Sequence, residues 1–204
     1  MREEIIKQIM LAVIECIEDE GVQQLTVRKI ADKARVNSAA INYYFGSKEN
    51  LIEETLKATL DEVFIKNLKD YEILWEKDPL RALKSYLSDT IEGMFMYQGL
   101  TKAHFHDAFI HGKYDPELVR RFSDFLDSFF ALISEKLPGS TLPEKKMVLV
   151  QVLSAVFYPG LFPQLFEDFL GKDFTKKGTR DKYISILVNN IADLINIEHN
   201  KEDK

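Results

Sequence analysis

From Ile5 to Ile195 the apolar residues recur at intervals of three and four, and no segment sustains the period-two alternation of a half-buried strand. That periodicity confines the chain to an all-α fold in which each helix buries one stripe against its neighbours. Ile5, Ile9, Ala12, Val13 and Cys16 make the stripe of a first helix over about 3–20, with Gly21 placed to end it. Thr26 is placed to cap a short helix over 27–34, whose Val27, Ile30, Ala31 and Ala34 share a face. After a break at Arg35-Val36-Asn37, a second short helix is predicted over 38–45, capped by Asn37 or Ser38. Ser47 opens a longer fourth helix with Leu51, Ile52, Thr55, Leu56, Thr59 and Val63 on its stripe. Asp78-Pro79 and Asp115-Pro116 each set an acidic cap before a proline at the first helical position, which predicts helices over 79–98 and 116–137. A helix over 143–170, interrupted near Tyr158-Pro159-Gly160 and Pro163, and a last one over 177–197 bring the expectation to about nine.

Charge is unevenly spread. The chain carries a formal −6, yet Arg28, Lys29, Lys33, Arg35 and Lys48 against Asp32 give the window from Thr26 to Lys48 +4 and leave −10 elsewhere. A basic window on an acidic body repels DNA everywhere but at one place, which favours a single docking orientation. No stretch reaches the ~18–20 consecutive apolar residues of a membrane span, and the Met1-Arg2-Glu3-Glu4 start lacks the character of a signal peptide, so a cytoplasmic protein is expected. The single cysteine, Cys16, belongs to a buried stripe and cannot form an internal disulfide.

Two short helices joined by a tight turn have the dimensions of a reader for the DNA major groove, and residues 27–45 meet that description. Ile41, Tyr44 and Phe45 of the second helix would pack against Ile30, Ala31 and the first helix of the chain. Ser38, Ala39, Asn42 and Tyr43 are left on the opposite face. Ala39 can meet a thymine methyl, Asn42 can pair with an adenine edge, and Tyr43 can donate its hydroxyl to a phosphate. Arg28 can read guanine or bind phosphate, and Lys48 stands in the first turn of the fourth helix, where its charge and the free backbone N–H groups suit a phosphate.

The run from Leu25-Thr26-Val27-Arg28-Lys29-Ile30-Ala31 through Tyr43-Tyr44-Phe45-Gly46-Ser47-Lys48-Glu49-Asn50-Leu51 resembles the DNA-binding segment of the TetR family of regulators, over about residues 5–56. The resemblance implies that Thr26, Arg28, Ser38, Ala39, Asn42, Tyr43, Tyr44 and Lys48 occupy positions that contact bases or phosphates. It also implies a helix-turn-helix domain over 1–47 and a helical ligand-binding and dimerisation domain over 48–204. Two positions depart from the family pattern. Arg35 stands where glycine is common, so a left-handed turn there would cost on the order of 1 kcal/mol. Asn42 stands where tyrosine is common, so operator preferences do not carry over.

Of the 23 aromatic residues, all but Tyr43, Tyr44 and Phe45 lie beyond residue 60. Two readings stand for them: a packed core, and an apolar pocket opened by the prolines at 159 and 163, lined by Phe105, Phe109, Phe125, Phe129, Phe157, Tyr158 and Phe162. The resemblance favours the pocket and a small hydrophobic effector, with no cofactor. The last two long helices carry more apolar surface than one face needs, as at Met147, Leu149, Val150, Val152, Leu153 and Val156, or Ile184, Ile186, Leu187 and Val188, which predicts a homodimer on a palindromic operator. An effector then releases DNA by unequal affinity for two arrangements of the reading heads.

Catalytic readings find little support. His104, Asp107 and His111 share a helical face, but two histidines seven residues apart are separated by ~10.5 Å, too far for one metal. No glycine-rich phosphate loop and no serine with an evident base partner is present, so no enzyme is expected. The competing reading is a helical small-molecule or lipid carrier whose first helices no longer bind DNA.

Overall fold

The structure is a computed structural model that describes residues 2–61, 68, 71–114 and 116–202, without the side chains of 61, 107 and 196–202. Expectations for Val63, Asp115 and the Asp107 side chain lie outside the described residues. Twelve α-helices and no strand are present among them: α1 Arg2–Glu20, α2 Val27–Ala34, α3 Ser38–Phe45, α4 Lys48–Asp61, α5 Glu72–Lys77, α6 Pro79–Met96, α7 Gln98–His104, α8 His106–His111, α9 Pro116–Ile133, α10 Leu142–Leu161, α11 Gln164–Leu170 and α12 Lys177–Glu202. The count exceeds the nine expected because α5, α7 and α8 are only six or seven residues long, too short to display a helical period. The helix read as 116–137 ends at Ile133 and continues as a 3-10 turn over Ser134–Lys136.

The chain divides into two compact units, Met1–Val63 with Tyr97–Arg121, and Phe64–Met96 with Phe122–Lys204. The division expected at residue 47 therefore does not coincide with these units, since α4 packs with α1 and α3. In the first unit Ile9, Val13, Ile17, Ile30, Ile41 and Leu51 are fully buried in one cluster drawn from α1 to α4, with Leu100 and Ala103 of α7 joining it. Truncating such a residue to Ala costs about 2–5 kcal/mol, several times the ~1 kcal/mol of a helix cap, so packing rather than capping holds this unit together. Helix α7 is pinned to α1 at its N-terminus, where the Glu18 carboxylate accepts from Gly99 N at 3.0 Å and Leu100 N at 2.7 Å. A Cβ on Gly99 would stand 2.6 Å from the Ile17 carbonyl oxygen, so only glycine permits this approach.

In the second unit α6 packs on α5, α10 and α12. Leu83, Leu87 and Ile91 of α6, Phe129 of α9, Val152 and Val156 of α10 and Ile184 and Val188 of α12 are buried there. Arg180 is buried with them, paired with Glu92 and donating to the carbonyls of Phe174 at 2.6 Å and Thr175 at 2.7 Å. Its guanidinium lies 4.8 Å from the centre of the Phe95 ring. Every donor this cation directs inward has an acceptor, which is the condition for burying it.

Helix α10 opens on a capping box, Thr141 with Glu144, and runs through Pro159 to Leu161. Of the two interruptions expected, the one at Pro163 is present, where α10 and α11 meet at a bend of 98°, and the one at Tyr158-Pro159-Gly160 is not. The reason is local. A mid-helix proline lacks the N–H that would satisfy the carbonyl four residues earlier, here that of Ala155. The Tyr183 hydroxyl donates to that carbonyl at 2.8 Å from α12. Gly160 lets α6 lie close, since a Cβ there would stand 2.7 Å from the Met94 thioether. No single described helix is long and apolar enough to cross a membrane.

Candidate nucleic-acid interface

Helices α2 and α3, eight residues each, are set by three local devices. Thr26 Oγ1 accepts from Lys29 N at 3.2 Å and caps α2. Asn37 Oδ1 accepts from Ala39 N at 2.9 Å and caps α3. Between them Arg35 takes the left-handed conformation, φ 51° and ψ 41°, and its N–H closes α2 on the carbonyls of Ala31 and Asp32. It is the only non-glycine with positive φ among the described residues, so the departure at the turn leaves the geometry intact and places its cost on Arg35.

One side of α3 is committed to the core. Ile41 is fully buried, and Tyr44 and Phe45 pack half-buried on the same cluster as Ile30 and Ala31. The other side presents Ser38, Ala39 and Asn42, all exposed, and Tyr43, which is 80% exposed. The Tyr43 and Tyr44 rings meet edge to face at 5.0 Å, so the half-buried tyrosine steadies the exposed one. Gly46 ends α3 at φ 76°, and Ser47 Oγ accepts from Asn50 N at 3.1 Å to start α4. The Asn50 side chain donates back to the Phe45 carbonyl at 2.8 Å, a lock between α3 and α4 that an asparagine in a polar first turn gives no sign of in the sequence.

The cations do not contribute equally. Lys29 is held by Glu20, and Lys33 by Asp19 and, at 3.6 Å, Glu15. Its hydrogen bond to Asp19 pushes the Lys33 ammonium above its ordinary pKa. Acids of α1 thus answer two of the five charges of the basic window. Arg28 stands 90% exposed with only a loose 3.9 Å contact to Asp32, and Arg35 is exposed at the turn. Lys48 is half-buried at the start of α4, with Nζ 3.4 Å from the Leu25 carbonyl and 3.6 Å from Glu49. Thr26, Arg28, Ser38, Ala39, Asn42, Tyr43 and Tyr44 therefore lie on α2, α3 or the turn before α2, and Lys48 on the first turn of α4, all within one packed unit.

The aromatic residues read as pocket candidates fall differently. Phe125 and Phe129 are buried, with the Phe129 ring 4.8 Å from Tyr86 and 5.5 Å from Trp75, while Phe157 meets Phe122 at 6.1 Å. Burial pushes the Tyr86 hydroxyl far above its ordinary pKa, and the Trp75 Nε1–H is buried without a hydrogen-bond partner. Tyr158 is 53% exposed and meets Phe162 at 5.6 Å. Phe105 and Phe109 belong to the first unit, 6.1 Å apart, with Phe109 58% exposed. Cys16 is buried, which pushes its thiol up and keeps it protonated. Among the described residues no group of three His, Cys, Asp or Glu is placed to hold a metal.

Residues 9–55 match the family model for bacterial regulatory proteins of the tetR family. The chain is 35% identical over 54 residues to the HTH-type transcriptional regulator BetI 1 of Chromohalobacter salexigens, a match covering 26% of this chain and 27% of that protein. The sequence likeness to this curated relative thus spans about a quarter of its length. Over the fold the likeness is broader. A transcriptional regulator from Rhodococcus sp. RHA1 superposes with a TM-score of 0.70 at 19% identity, covering 91% of this chain and 95% of that one. A TetR family transcription regulator from Marinobacter aquaeolei VT8 superposes at 0.66 and 16% identity, covering 93% and 97%.

Proposed function

From the match of residues 9–55 to the tetR family model we propose that the protein is a transcriptional regulator acting in the cytoplasm, a homodimer that binds a palindromic operator through its first helices and is released by a small hydrophobic effector. The observation that carries the reading is the division of α3: one side is locked into the core, and the other presents Ser38, Ala39, Asn42 and Tyr43 to solvent. A rigid helix with an outward face of small and hydrogen-bonding groups is what the major groove admits. Arg28 and Lys48 flank it in sequence and supply phosphate contacts. Repression follows if the occupied operator overlaps a promoter.

Dimerisation is supported by apolar surface left outward on α10 and α12. Met147 is 64% exposed, Val150 53%, Ile186 53% and Leu194 50%. A two-fold axis pairing these helices would give two identical reading heads, and so a palindrome. The effector reading is supported by Trp75: a buried donor with no acceptor beside Phe129 and Tyr86 is an expensive feature that a ligand oxygen or a water would relieve. An effector releases DNA only through unequal affinity for two conformations, and a coupling of about 1–3 kcal/mol gives ~5 to 150-fold in operator affinity.

The test is selection of duplexes from a random pool by the purified protein at two salt concentrations. Enrichment of a palindrome, with affinity falling steeply as salt rises, is the expected result. Asn42→Ala and Tyr43→Ala are each expected to cost about 1–3 kcal/mol of affinity for the selected duplex while leaving thermal unfolding unchanged. No enrichment at either salt would overturn the DNA reading in favour of a carrier.

A further inference from the structure

A cleft of about 470 Å³ is lined only by residues of the first unit. Its apolar wall comes from Ile52 and Leu56 of α4 and from Ala103 and Ala108 of α7 and α8, and that volume falls in the range of small-molecule sites. Glu49 and Glu53 stand on the same cleft, four residues apart on α4 and therefore on one face of it. Lys113 is the one lysine or arginine among the lining residues.

The walls are fixed independently of any ligand. Glu18 clamps the start of α7, and at its end His104 lies 3.1 Å from Thr59 Oγ1 of α4. Thr59 spends its own proton on the Leu56 carbonyl at 2.8 Å, so His104 Nε2 is the donor. Burial holds this imidazole neutral, with its pKa lowered to about 4, so it adds no positive charge to the cleft. His106, on the next helix, accepts from the Gln23 amide at 2.8 Å. A preformed apolar space edged by two carboxylates suits a molecule with an apolar body and a cationic end. Glu49 and Glu53 hold Lys48 and Lys57 through flexible, partly exposed lysine side chains, partners that a bound cation can replace at little cost.

We propose that this cleft binds a lipophilic organic cation, its apolar body between α4 and the α7–α8 segment and its ammonium at Glu49 and Glu53. The site goes beyond the effector reading above, and its occupancy is measurable without DNA. Any effect on operator binding, through Glu49 and its neighbour Lys48, does rest on that reading.

The experiment is calorimetric titration of the whole protein with three near-isosteric probes: 4-phenylbutylammonium, 4-phenylbutanol and 4-phenylbutyrate. The ammonium is expected to bind at least tenfold more tightly than the carboxylate, with the alcohol between them. Glu53→Gln, a substitution on an exposed side chain, should weaken the ammonium about tenfold and leave the alcohol unchanged. Ala108→Trp should abolish all three, and amide shifts at Val22 and Ala103 on titration should place the probe in the cleft. Absence of binding, equal binding of ammonium and carboxylate, or a Glu53→Gln variant that binds the ammonium as the native chain does would each overturn the proposal. None of these outcomes bears on whether α3 reads DNA.

Discussion

Arg35 pays for the turn between α2 and α3 with its own backbone, at φ 51° and ψ 41°. A side chain in that region costs about 1–2 kcal/mol, and a glycine would shed this while adding roughly 0.5–1 kcal/mol of unfolded-state entropy. The strain is the larger quantity, so Arg35→Gly is expected to raise stability by about 0.5–1 kcal/mol, seen as a higher urea midpoint at unchanged slope. An unchanged or lower midpoint would mean that the guanidinium recovers the strain through contacts of its own. This residue was legible in the sequence because its position lies between two caps and the turn allows few conformations. His104 was legible only as one of several histidines. Its burial, and its donation to Thr59, depend on α7 lying against α4, forty-five residues distant in the chain. Burial lowers its pKa from 6.5 to about 4. The unfolded chain therefore takes up a proton below pH ~6.5 that the folded one refuses, so stability falls as pH drops through that window and levels off below about 4. The loss attributable to this group is up to about 3 kcal/mol. Unfolding of the native chain and of His104→Gln at pH 7 and pH 4.5 measures it: the variant should lose distinctly less stability between the two.

Helices announce themselves through period and punctuation, and the elements here were readable in proportion to both. Helices α1 to α4 carry caps at Thr26, Asn37 and Ser47 and stripes long enough to repeat, and the sequence places their limits closely. Helices α5, α7 and α8 complete fewer than two turns and have no side-chain cap that an apolar stripe could confirm. Helix α10 ends before Pro163, as its sequence predicts, but passes through Pro159, because what a proline creates there is an unsatisfied carbonyl that a distant residue can answer. Tyr183 answers it from twenty-eight residues away. Tyr183→Phe is therefore expected to cost about 1–2 kcal/mol, since it leaves the Ala155 carbonyl without its partner in a half-buried place. Pro159→Ala should restore the helical N–H to that carbonyl, so the two substitutions together should cost less than their sum by about 1 kcal/mol in a double-mutant cycle. Strict additivity would mean that the hydroxyl serves the fold in some way other than through Pro159.

At the scale of the whole molecule the question is what covers the outward faces of α10 and α12. Met147 and Val150 lie three apart on α10, and Ile186 and Leu194 lie eight apart on α12, so each pair occupies one helical face. The inner faces of the same helices are occupied by Leu149, Val152, Val156, Ile184 and Val188. The sequence shows the excess of apolar residues but not which of them turn outward, because both faces of each helix are apolar and a hydrophobic period cannot separate them. A two-fold dimer doubles every substitution at its interface. Burying a valine or isoleucine contributes about 1.5–3 kcal/mol, so Val150→Glu or Ile186→Glu removes at least ~3 kcal/mol per dimer before the cost of burying the charge. That is a loss of more than ~100-fold in the association constant. Both side chains are more than half exposed in the single chain, so neither substitution should lower the stability of the monomer. Sedimentation equilibrium at micromolar concentration should show a dimer for the native chain and a monomer for each variant, with unchanged helical circular dichroism. A native chain that sediments as a monomer would leave the operator read by one head alone, and the palindrome expected from in-vitro selection would then reduce to a half-site.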